Sequence, residues 1–197
     1  WNRIITPMMN ELKVKKDFLR VNLIAVDKAK NKTVTKVPLY IKELKPKVDN
    51  IKISDKFINK VSKNVLAKSG YDIPDSPEEI FIKQNKDLRK RNIDTIKSET
   101  RNNMSYDKVS KFNIKAFKQL SSSMTFAGFG ERRNYTYHGK KIDEAWHLGM
   151  DWASVKKAKI STTNAGTVIF KDYLGIYGDV IIIDHKFGLA TLYAHTS

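Results

Sequence analysis

Leu174-Gly175-Ile176-Tyr177-Gly178-Asp179-Val180-Ile181-Ile182-Ile183-Asp184-His185 decides the fold. Two glycines punctuate a turn, a β-branched apolar run from Asp179 to Asp184 reads as a strand, and Asp184-His185-Lys186-Phe187-Gly188 reads as a second tight turn. The same texture extends in both directions. Short strands are expected over Met124 to Phe129, Asn134 to Tyr137, Gly166 to Phe170 and Leu189 to His195, with Tyr137-His138-Gly139-Lys140 as a tight turn. Glycine-separated strands of this length predict an antiparallel sheet. His138 and His185 fall in turns and are expected to be exposed turn residues.

Upstream of Ser121-Ser122-Ser123 the pattern changes. Ser54 can cap a helix whose stripe is Phe57, Ile58, Val61, Val65 and Leu66, ended by Gly70. Ser76-Pro77-Glu78-Glu79 combines an N-cap serine, proline at the first helical position and a glutamate three residues on, and an apolar pattern follows through Ile80, Phe81, Leu88 and Ile96. Residues 49–103 are therefore expected to be helical. Still earlier, Phe18 to Val26 and Thr33 to Ile41 have strand composition around the polar turn Asp27 to Asn31, which predicts a β-hairpin. Its "AVDKAKNKTV" phrase resembles the closing strands of a bacterial immunoglobulin-like module. The fold class expected is α+β, in three parts: 1–48 the end of an immunoglobulin-like β module, 49–120 a helical accessory or linker segment, and 121–197 an antiparallel sheet domain.

Composition narrows the chemistry. The 197 residues contain no cysteine, which excludes a disulfide framework and any thiolate metal cluster, so a metal site here must use histidine and carboxylate. No apolar run approaches the roughly 18 residues of a membrane span, and a chain starting at Trp1 without a basic-then-apolar leader reads as cut from something longer. The formal charge of +16 is unevenly placed. Residues 1–120 carry 28 Lys and Arg against 14 Asp and Glu, whereas residues 121–197 carry 9 against 7 and hold all four histidines. The basic part can attract an anionic polymer or membrane face, or be a lysine-rich solvated surface; it shows no aromatic platform or motif for specific nucleic-acid binding.

Trp146-His147-Leu148-Gly149-Met150-Asp151-Trp152 places an imidazole and a carboxylate four residues apart around a glycine. Gly149 disfavours a helix there by about 1 kcal/mol, so the pair is expected at a strand or loop end. One neutral imidazole and one carboxylate suit Zn²⁺ better than Ca²⁺ or Mg²⁺, which prefer oxygen shells, although a structural His–Asp pairing uses the same spacing. Trp146 and Trp152 are expected to wall the pair.

Phe126-Ala127-Gly128-Phe129-Gly130-Glu131-Arg132-Arg133, then His147-Leu148-Gly149-Met150-Asp151, then Leu174 to His185, then Leu192-Tyr193-Ala194-His195 resembles, in that order, the lysostaphin-type (LytM-like) zinc endopeptidases. Within them it looks most like the peptidoglycan peptidases of Gram-negative envelopes, which carry upstream accessory modules. The resemblance covers residues 121–197 and implies a β-sheet groove. It implies zinc as cofactor, with His147 and Asp151 as ligands, and His195 as a catalytic imidazole assisting the attacking water or the developing oxyanion. Tyr177 and Tyr193 fall where the groove wall is expected. It further implies peptidoglycan peptides as substrate and a periplasmic location, with any membrane anchor outside this chain. The family's His-x-His, which brings the third ligand, does not occur before Ser197, so the groove is expected to be incomplete and the fragment inactive by itself. A peptidase-like module that binds wall or regulates a hydrolase without cutting is the alternative.

Overall fold

The computed structural model describes residues 20–38, 45–105 and 113–196. The chain divides into two compact units, Trp1–Pro46 and Lys47–Ser197.

In the first unit, β1 (Val21–Val26) and β2 (Lys32–Val37) form an antiparallel hairpin. The turn closes as its sequence suggests. Asp27 accepts from the Asn31 backbone N–H at 2.9 Å and from its side-chain amide at 2.8 Å, while Lys30 takes a left-handed φ of 68°. The outer ends of the expected strands, Phe18–Leu19 and Leu39 to Ile41, lie outside the described residues.

The second unit is α+β. Residues Val48–Lys52 form a strand, β3, where helix is expected. They pair in parallel with β5 (Glu131–Tyr137), which in turn pairs antiparallel with β6 (Lys140–His147). The parallel partner lies some eighty residues downstream, so nothing near Val48 announces it. Helix α1 spans residues 55–68 as Asp55–Phe57, a π-helical turn Ile58–Ser62 and Lys63–Lys68. Ser54 caps it by accepting from Phe57 N–H at 3.2 Å, and Gly70, with φ of 73°, ends it. The π turn re-phases the buried face: Ile58, Ser62 and Leu66 are fully buried, while Phe57 and Val61 of the expected stripe are exposed.

Helix α2 spans residues 77–103, with Ser76 accepting from Glu79 N–H, Pro77 in the first turn and a second π turn at Gln84–Leu88. Its first half buries Ile80, Phe81 and Leu88 against Ile58 and Leu66 of α1 and Tyr135 of β5. The Phe81 and Tyr135 rings meet edge to face at 5.1 Å. Burial of each such side chain contributes about 1.5–3 kcal/mol. Farther along α2, Ile96 packs against a second core of Leu174, Val180 and Ile182. That core belongs to an antiparallel sheet of β8 (Thr167–Tyr173), β9 (Asp179–Asp184) and β10 (Ala190–Tyr193). A third small sheet pairs β4 (Met124–Ala127) with β7 (Asp151–Ala153). Thus α2 packs on both of the three-stranded sheets from which candidate residues emerge.

The β5–β6 turn is the expected one, with His138 exposed and left-handed beside Gly139. His185 is not exposed: only 7% of its surface is accessible. Its Nδ1 lies 2.8 Å from the Ala165 carbonyl and its Nε2 2.8 Å from the Thr191 hydroxyl, so one ring nitrogen donates and the other accepts. A turn position commonly faces water, but the β8 approach and β10 cover this one, and both polar atoms are satisfied inside.

Candidate functional site

His147 is the last residue of β6 and Asp151 the first of β7, so the Leu148-Gly149-Met150 loop brings the two side chains together across a strand end. His147 Nε2 and Asp151 Oδ1 are 3.0 Å apart. The other ring nitrogen, Nδ1, lies 2.7 Å from the Gly128 carbonyl, which can only accept. Nδ1 therefore carries the proton, and a neutral imidazole turns a lone pair at Nε2 toward an ionised carboxylate oxygen that also only accepts. Two acceptors this close need a shared cation, either a proton that makes imidazolium or a metal ion. Among the described residues no group of three or more His, Asp or Glu side chains that could hold a metal is found, so the donors here are a pair.

The pair is held from β4, β5 and the turn between them. Gly128, whose carbonyl orients His147, donates its own N–H to Glu131 Oε1 at 3.0 Å, and Gly130 N–H donates to the His147 carbonyl at 2.8 Å. The Gly128 hydrogen bond, followed by that of Lys47, holds the Glu131 carboxyl below its usual range against the opposing effect of burial. Arg133 donates to Asp151 Oδ2 at 3.0 Å. Because Arg133 takes one carboxylate oxygen, the other is left facing His147. Glu131, Arg133 and Tyr135 alternate along β5, so the same pleat that sends Tyr135 into the core puts Arg133 against Asp151 and Glu131 against the Gly128 N–H. Sequence reading missed both roles; the available signal was that alternation in register with a core tyrosine.

His195 follows β10 with φ of 54° and its ring exposed. Its N–H donates to the Tyr177 carbonyl at 2.9 Å, and a Cβ placed on Gly178 would lie 3.2 Å from its Nδ1, so the imidazole rests against a glycine backbone. His195 and Tyr193 line a cavity of about 380 Å³ together with Met150 and Trp152, the residues on either side of Asp151. Trp146 is half-buried at the end of β6. Tyr177 packs its ring against the Leu174, Val180 and Ile182 core, and burial pushes its phenol up from its ordinary value. The geometry thus brings His147 and Asp151 into contact, and places His195, Tyr193 and Trp152 around one cavity.

A strand-end imidazole and carboxylate in contact thus lie next to a cavity that carries a further exposed imidazole. Residues 145–197 match the family model for Peptidase family M23, so the lysostaphin-type resemblance is shown for this segment. Among curated proteins, the chain is similar to the DD-carboxypeptidase/endopeptidase Mpg of Neisseria meningitidis serogroup B and to that of Neisseria gonorrhoeae, at 33% identity over 88 residues in each case. Those residues are 44% of this chain and 18% of each relative's length, so the chain spans only a minor part of the relatives it matches.

Proposed function

We propose that this chain is part of a zinc-dependent endopeptidase of the bacterial cell envelope that hydrolyses peptide cross-links or stem peptides of peptidoglycan. The observation that carries the reading is the 3.0 Å contact between His147 Nε2 and Asp151 Oδ1 while Nδ1 is committed to the Gly128 carbonyl. Two ligand atoms each about 2.0–2.1 Å from a tetrahedral zinc stand about 3.3 Å apart, close to this separation. The donor set of one neutral imidazole and one carboxylate fits that ion. When bound, zinc supplies Lewis acidity toward water and the scissile carbonyl.

The chain's own residues supply the rest. His147 and Asp151 would hold the ion, the Gly128 carbonyl fixes the imidazole tautomer, and Arg133 leaves a single oxygen of Asp151 free to ligate. His195, on the cavity wall, donates a hydrogen bond to, or exchanges a proton with, the oxygen on which charge develops. Tyr193 and Trp152 form apolar walls for an extended peptide, and the Tyr177 backbone carbonyl steadies His195. A catalytic zinc has three protein ligands and an open position, and His147 and Asp151 account for two of the three. The similarity to the Neisseria enzymes supports peptidoglycan as substrate and the cell envelope as location.

The test is zinc binding and wall digestion by the natural full-length protein. Stoichiometric zinc, lost in His147→Ala and Asp151→Ala, together with release of peptide fragments from purified peptidoglycan, is the expected result. Protein that binds peptidoglycan but leaves its peptides intact with zinc present would replace the enzyme by a non-catalytic wall-binding module.

A further inference from the structure

Asn92 sits in the middle of α2 and is only 2% exposed. Its Oδ1 accepts a hydrogen bond from the Ile176 N–H at 3.0 Å, across eighty-odd residues of sequence. The partner belongs to the short 3₁₀ turn Gly175–Tyr177 that joins β8 to β9. The fit is tight: a Cβ on Gly175, where φ is +47°, would lie 2.5 Å from Asn92 Oδ1 and 2.9 Å from both its Nδ2 and Leu88 Cδ1. The turn is closed on itself as well, by Tyr177 N–H to the Leu174 carbonyl at 2.9 Å and Leu174 N–H to the Gly178 carbonyl at 2.8 Å.

The far side of the same turn carries His195. The Tyr177 carbonyl accepts from His195 N–H at 2.9 Å, and the Asp179 carbonyl accepts from Thr196 N–H at 3.2 Å. A non-glycine residue in the left-handed region costs of order 1–3 kcal/mol, and these two hydrogen bonds hold the chain there. The imidazole then lies over Gly178, where only a hydrogen faces it. From helix to imidazole the path is continuous: Asn92, the Ile176 amide, the closed turn, the Tyr177 carbonyl, the His195 amide.

We propose that Asn92 is a positioning residue for His195, so that helix α2, which lies outside the segment matching the peptidase family, sets the geometry of the site. The proposal rests on the reading of His195 as the catalytic imidazole. An apolar side chain at 92 would fill the space but leave the Ile176 N–H without a partner in a half-buried turn. The turn can then rotate to find water, and the Tyr177 carbonyl moves with it.

The test compares Asn92→Leu with Asn92→Asp, which keeps an acceptor oxygen, in the natural full-length protein, with folding verified by circular dichroism. In folded Asn92→Leu, exchange of the His195 amide hydrogen is expected to rise about tenfold relative to the Ile182 amide of β9, as for loss of a hydrogen bond near 1.4 kcal/mol. Turnover of a zinc-loaded sample on wall peptides should fall about 10- to 100-fold with KM within about twofold, because misplacement of a group acting on the reacting atoms appears in kcat. Asn92→Asp should lie nearer the unaltered protein on both measures. Wild-type exchange at His195 in folded Asn92→Leu overturns the proposal, as do equal defects in the Leu and Asp variants. Faster exchange with intact turnover also overturns it; if His195→Ala then keeps turnover too, the catalytic reading of His195 has failed instead. Should Asn92→Leu not fold, Asn92→Ser is read by the same exchange and turnover measurements.

Discussion

Leu88→Ala separates two views of the helical region. If residues 55–103 were an accessory laid beside the sheets, cutting a side chain from α2 would soften the helices and leave the strands untouched. The structure argues otherwise. Leu88 is fully buried in a core shared with Ile58, Leu66, Ile80, Phe81 and Tyr135, and its Cδ1 abuts the backbone at Gly175. Buried Leu→Ala substitutions cost about 2.7–5 kcal/mol, depending on how far the surroundings collapse into the space left. Here one wall of that space is the Gly175–Tyr177 turn, tied by the Asn92 and Leu174 hydrogen bonds, and it cannot follow a retreating side chain. The upper part of the range, about 4–5 kcal/mol, is expected. For a unit of this size that lowers the melting midpoint by roughly 8–20 °C. Far-UV circular dichroism reports the helices, and tryptophan fluorescence, read in a Trp1→Phe background, reports Trp146 in β6 and Trp152 in β7. Both midpoints should fall together and by the same amount. A helical signal that melts early while the tryptophan signal keeps its wild-type midpoint would refute the shared core.

Two further substitutions test other parts of the framework. In Gly166→Ala the new Cβ would lie 2.5 Å from the Asp184 backbone carbonyl oxygen and 2.5 Å from Ile183 Cγ2. Backbone in a sheet cannot give way as a side-chain tip can, so a loss of about 1–3 kcal/mol in denaturant stability is expected, and a neutral midpoint would contradict the packing. Burial pushes the Tyr177 phenol above its ordinary value of 10.0, with Arg89 opposing. The folded chain then holds that proton more tightly than the unfolded chain. The stabilisation is complete below the unfolded value and is lost as pH rises through the folded one. Tyr177→Phe should flatten the fall in melting temperature above pH about 10, and an unchanged alkaline slope would count against the burial argument.

What could be seen in the sequence was what local chemistry determines. The two serine caps, Pro77, the Gly70 stop and the His138-Gly139 turn depend on neighbours within a few residues, and each forms where its residues say. Strand β9 has the expected limits because its apolar run is bounded by glycine and by a turn. Features set by distant partners were not legible. Val48–Lys52 looks polar and unremarkable, and becomes a strand because β5 offers a parallel edge. The π turns move Phe57 and Val61 off the buried stripe, and no residue preference marks such turns. His185 is a turn histidine by sequence and a buried one by the approach of Ala165 and Thr191. The candidate site divides the same way. His147, Asp151 and His195 were visible as motif residues, while Glu131, Arg133 and Asn92 act through tertiary neighbours.

The supports of the site therefore lie apart from its chemistry. The segment matching the peptidase family begins at residue 145 and contains His147, Asp151 and His195. Yet the carbonyl that orients His147 comes from Gly128, the guanidinium that occupies one oxygen of Asp151 comes from Arg133, and the amide oxygen that anchors the turn beneath His195 comes from Asn92. All three precede the matching segment, and Asn92 reaches it only because α2 shares a core with β5 at one end and with β9 at the other. The donor pair and the His195 imidazole are thus fixed by two separate sets of contacts. A change in one set can disturb its own side chain while leaving the other in place. Loss of the Gly128 or Arg133 contacts should appear as weakened metal binding, whereas loss of the Asn92 contact should leave metal binding intact and appear at His195.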